Sequence, residues 1–172
     1  MGLTNKETLN EIQKLFDKFF DLNSLLDRHV YLLDIKWNLP KYQEYIHKDI
    51  SHNMPLYADE IQEFGSLRGD LFYRGIVPEH KEDYSTVYEM TESYVMALAD
   101  AEKMCKNAIK TAIKNDDIMY EDFLRDFEIK HIAPLIKQAS IFYEAIKKYE
   151  LANNLHLWNE NFESYIIGKV GA

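Results

Sequence analysis

A chain of 172 residues that is 47% hydrophobic, with only six glycines and four prolines, is long enough to bury one domain's core. It is too poor in turn formers for a multi-stranded β protein or a disordered segment. Twenty Lys and Arg against 29 Asp and Glu give a formal charge of −9, which leaves no basic patch for duplex nucleic acid and suits attraction of cations or plain solubility.

The first helix is predicted from about Lys6 to Trp37, because Leu9, Ile12, Phe16, Phe19, Leu26, Val30, Leu33 and Trp37 recur at helical spacing. Thr4 is its expected N-cap, with Glu7 completing a capping box. Asn38-Leu39-Pro40 ends it, since the residue before a proline avoids helical geometry. A second helix carries Tyr42, Ile46, Ile50, Met54, Tyr57, Ile61 and Phe64 in one stripe, with a kink expected at Pro55 and an end near Gly65. A short helix, Ser66 to Arg74, is expected in the connection that follows. The third helix reads from about Glu82 to Lys114 and the fourth from Ile118 to Tyr149, joined by the turn Asn115-Asp116-Asp117; Pro134 predicts a second kink. A tail helix around Leu155 to Ile166 finishes the chain. The lone Cys105 sits in the third helix's apolar stripe and reads as a small core residue.

Connection lengths choose the topology. Two short turns make helices one and two, and three and four, antiparallel neighbours. The link from Gly65 to Lys81 reaches roughly 56 Å when extended, whereas the second helix is only about 37 Å long. The link can therefore run the length of the bundle. The expected fold is all-α: a ferritin-like four-helix bundle with one long crossover between helices 2 and 3, forming a single domain. No apolar run is long enough to span a bilayer. The opening MGLTNKETLNEIQKLF lacks a secretion signal, and a lone cysteine suits a reducing compartment, so a cytoplasmic location is expected.

Bundles of this kind place metal sites among carboxylates and Glu-x-x-His pairs, in which residues three apart share a helical face. Glu128 and His131 form such a pair; on the second helix Asp49 and His52 form a weaker one, with His52 directed away from the stripe. These four, with Asp27 or Glu92, would make a di-iron carboxylate site inside the bundle. The bland alternative is a core histidine tied to an acid. A second constellation, His47, Asp59 and Glu63, lies on helix two. Asp59 and Glu63 are four apart and share a face opposite the apolar stripe, where solvated carboxylates are the ordinary reading unless another subunit covers them.

Trp37-Asn38, Tyr45-Ile46-His47 and Tyr57-Ala58-Asp59-Glu60-Ile61-Gln62-Glu63, with Tyr88-Glu89-Met90 opening helix three, resemble the corresponding segments of the Dps miniferritins. That resemblance implies a homo-oligomeric shell, a dodecamer, which takes up and oxidises Fe(II) at a site between two subunits, protecting against iron and peroxide damage. It implies His47, Asp59 and Glu63 as metal ligands for iron or another divalent cation. The family's histidine before the tryptophan is Lys36 here, and the acid four residues after the site histidine is Ser51. Both departures favour an alternative, a ferritin-like fold without metal that serves as a structural or interaction module. Family members that bind DNA use lysine-rich tails, but only Lys6 and Lys14 stand near this N-terminus. Plasmid mobility should therefore be unchanged at physiological salt, where affinity resting on phosphate contacts collapses. A shift that survives that salt would contradict the charge argument.

Overall fold

The computed structural model describes residues 2–168, and among these every regular element is helical. In order they are α1 (Lys6–Ile35), α2 (Pro40–Tyr45), a π segment (Ile46–Ser51) and α3 (Asn53–Leu67), then α4 (Val87–Lys114). α5 (Ile118–Phe127), a second π segment (Glu128–Ile132), α6 (Ala133–Leu151), α7 (Leu155–Asn161) and a 3-10 turn (Phe162–Tyr165) follow. The four long helical units expected from periodicity are present. Among the described residues no helix is long and apolar enough to cross a membrane.

Several boundaries differ from the sequence expectation, each for a local reason. Asn5, not Thr4, caps α1 by accepting from the Glu7 amide, because the Thr4 hydroxyl is drawn to the Asp70 carboxylate at 2.5 Å. The second helical unit runs past Gly65 to Leu67 and closes there, with no separate helix over Ser66–Arg74. Gly69 takes φ 74°, and the amides of Gly69 and Asp70 bond back to the carbonyls of Ser66 and Gly65, a Schellman stop that glycine permits. Gly65 serves contact rather than termination, since a Cβ there would meet the Phe72 ring at 2.8 Å. Gly65→Ala should destabilise by about 1–3 kcal/mol through overpacking; a chemical denaturation midpoint equal to wild type would show that Phe72 yields freely. The third long helix begins at Val87 rather than Glu82, because residues 82–84 are held against α1 and Thr86 supplies the N-cap.

Prolines 55 and 134 act differently from a simple kink. Each follows a π segment, in which one extra residue per turn takes up the missing i→i−4 bond. The Ser51 carbonyl, which Pro55 leaves without its helical donor, accepts from the Asn23 side-chain amide of α1 at 3.0 Å.

α1 packs on α3 and α4, and α4 packs on α5 and α6. Phe19 of α1 sits at the centre, edge-on to Tyr57 of α3 and Phe127 of α5. Glu7 and Thr8 at the start of α1 meet Lys114 and Asn115 at the end of α4, so these two helices are antiparallel. Between Leu67 and Val87 the chain forms a strap along α1, ascending it step by step. Tyr73 exchanges two hydrogen bonds with Gln13, and the Gly75 amide donates to Asp17. His80 meets Asp21, Arg28 donates to the Glu82 carbonyl, and Lys36 donates to Asp83 and the Tyr84 carbonyl. α4 therefore starts at the end of the bundle opposite the end of α3.

Two helix starts donate hydrogen bonds to distant residues. Leu39 offers α2 no side-chain cap, and the buried Asn159 of α7 accepts from the Lys41 and Tyr42 amides instead. Glu150 of α6 accepts from the Val87 and Tyr88 amides at the start of α4. Both satisfy donors that a helix start leaves open.

Candidate metal centre

The first π segment creates the most distinctive side-chain pair on the molecule. In a regular α-helix His47 and His52 would diverge by about 140° around the axis. Here the His52 amide bonds to the His47 carbonyl five residues back at 3.2 Å, and the extra residue aligns the two side chains. Their Nε2 atoms stand 3.1 Å apart and their ring centroids 4.4 Å apart. Two nitrogens bound tetrahedrally to one ion at about 2.05 Å would lie roughly 3.3 Å apart, so small ring rotations suffice for both to hold a single cation. Without a metal the same geometry is one imidazole N–H donating to its neighbour. His52 thus joins His47 on one face of the segment.

The other sequence-derived residues fall at separate places. Asp59 and Glu63 are exposed on α3, and twelve and sixteen residues beyond His47 put them about 18 and 24 Å along the helix. Within one chain they do not join His47. Asp49 is exposed beside the pair, and its charge adds to burial in pushing the Tyr45 hydroxyl up to about 12.

His131 lies under α3, where its Nε2 meets Glu60 Oε2 at 2.7 Å and its ring rests on Tyr57 and Phe127. Glu60, one residue before the core Ile61, sits at the edge of the buried stripe, and no local pattern marks it as the partner of His131. Glu128, three residues before His131, lies within electrostatic reach of α4. There it and Glu102 add to burial in raising the Cys105 thiol to about 12, which keeps that buried thiol protonated and inert. Glu128 and His131 therefore serve different neighbours. Asp27 accepts from the Ser51 hydroxyl at 2.8 Å, and Glu92 is exposed on α4.

The two positions where ligands of the resembled family are replaced both have structural partners. Lys36 pairs with Asp83 at 2.7 Å and fastens the end of the strap. Ser51 is buried and shared by Asn23 and Asp27. In the middle of the bundle a cavity of about 20 Å³ is lined by Leu26, His29, Leu33, Tyr42, Ile46, Met90, Thr91 and Tyr94, with no carboxylate among them. The Tyr94 hydroxyl is buried there without a hydrogen-bond partner. Among the described residues no three His, Cys, Asp or Glu side chains of one chain converge on a point. No protein-family model matches the chain, and no curated protein matches it.

Proposed function

We propose that this chain is a ferritin-like bundle of the miniferritin kind, which assembles with copies of itself and takes up and oxidises Fe(II). The observation that carries the reading is the approach of His47 and His52, which presents two nitrogens to one divalent cation at the surface. Exposed Asp59 and Glu63 of a neighbouring copy would supply the carboxylates, hard ligands that stabilise the ferric product. The strap along α1 supports the ferritin-like arrangement, because a chain that ascends α1 is what one crossover between parallel second and third long helices requires.

Iron(II) oxidation followed by absorbance tests it. His47→Ala and His52→Ala should each lower the rate at least about tenfold, since losing even an outer-shell partner of a metal ligand costs that much. Asp59→Asn with Glu63→Gln should abolish turnover, while Glu128→Gln should leave it near wild type. If the histidine variants oxidise iron at the wild-type rate, the site is elsewhere. Loss of activity in Glu128→Gln together with His131→Ala would move it into the bundle.

A second reading, a bundle without metal that serves as a structural or interaction module, draws on Lys36 and Ser51. Each spends its polar group on a neighbour within the fold. A wild-type protein that neither binds nor oxidises iron would favour it.

A further inference from the structure

The strap residue His80 is held between two carboxylates. Its Nε2 lies 2.6 Å from Asp21 Oδ1 on α1, and its Nδ1 lies 3.1 Å from Glu82 Oε1 within the strap. Carboxylates only accept hydrogen bonds, so both ring nitrogens must carry protons for both contacts to form. A neutral imidazole has one N–H and would set a lone pair against one of the carboxylates. The contact is therefore complete only in the imidazolium form.

We propose that His80 is a proton-operated latch, closing the strap over α1 when protonated and releasing it when the proton leaves. The strap has no regular secondary structure between Asp70 and Tyr84, so side-chain anchors rather than a backbone ladder hold it down. Under it lie apolar rings of α1: Phe16 stacks on Phe72 of the strap at 5.8 Å, and Arg74 covers Phe20 at 4.5 Å. Release would uncover this apolar face.

The surrounding charges agree with such a latch. Asp21 also receives Lys18 of α1 at 2.9 Å, so it is not stranded when His80 becomes neutral. Arg28 of α1 donates to the Glu82 carbonyl, and within the strap Lys81 pairs with Glu79. His29, the other nearby imidazole, is pushed down to about 3 by burial and stays neutral, so it adds no repelling charge near pH 7. For His80 itself burial works to lower the pKa, and the hydrogen bonds to Asp21 and Glu82 outweigh burial and raise it. A raised folded-state value means that the contribution to stability is whole below the ordinary histidine range, about 6.5. It is lost as pH climbs through the raised value.

The test is amide hydrogen exchange of residues 71–86 in the full chain, corrected for intrinsic rates, at pH 6 and pH 9. In the wild type, protection of the strap should fall between the two as the latch proton leaves, while amides of α1 and α4 keep theirs. His80→Gln should show low strap protection at both values, and Asp21→Asn should move the loss to lower pH. Equal wild-type protection at pH 6 and pH 9 would overturn the latch, as would a His80→Gln strap that keeps the wild-type pH dependence.

Discussion

Trp158→Ala should cost about 3–5 kcal/mol of unfolding free energy, the usual range for emptying a buried tryptophan site. The side chain is fully buried, edge-on to Tyr42 at 5.2 Å and Phe142 at 5.4 Å, with Tyr149, Phe162 and Tyr165 around it. It pins α7 across one end of the bundle. The next residue, Asn159, holds the first amides of α2, so undocking α7 would remove that cap as well. Trp158→Phe should be far milder, below about 2 kcal/mol, because the indole Nε1 is buried without a hydrogen-bond partner and its loss breaks nothing. Urea denaturation followed by far-UV circular dichroism measures both. A Trp158→Ala protein within about 1 kcal/mol of wild type would mean that the tail is not part of the core.

Asp70→Ala should destabilise the opposite end by about 2–4 kcal/mol. The Asp70 carboxylate is buried where the strap leaves α3, and its Oδ2 accepts from the Thr4 hydroxyl at 2.5 Å and the Tyr120 hydroxyl at 3.0 Å. Removing it strands the Tyr120 hydroxyl, which burial and the Asp70 charge keep protonated to far above the usual tyrosine range. Arg68 would retain Asp117, its 2.9 Å partner, so the loss stops short of an orphaned cation. The unpartnered Oδ1 of Asp70 moderates the cost further, since its burial already opposes folding. Tyr120→Phe combined with Asp70→Ala should cost less than the sum of the two single changes, the signature of groups that pair with each other. Strict additivity in that cycle would show that the two do not interact.

Periodicity made the helices legible. Stripes such as Leu9, Ile12, Phe16 and Phe19 need only one face to be apolar, and burial then follows from the pattern. The two prolines announced a disturbance, but a helical wheel drawn at 3.6 residues per turn could not foresee that it would relax as π segments. That one-residue insertion brings His52 onto His47, a meeting that the wheel does not show. The strap was legible in length but not in conformation, because Asp17, Asp21, Arg28 and Lys36 of α1 hold it from outside the segment itself. The caps from Asn159 and Glu150, and the meeting of His131 with Glu60, join residues far apart in the chain that no local pattern connects.

Native mass spectrometry of the purified protein, before and after addition of Fe(II), tests the central claim most directly, because one spectrum reports both subunit number and bound metal. The proposal predicts a closed homo-oligomer that retains iron in proportion to its subunits, and a His47→Ala, His52→Ala protein that keeps the same subunit number but retains no iron. A wild-type monomer that leaves the measurement without metal would contradict it.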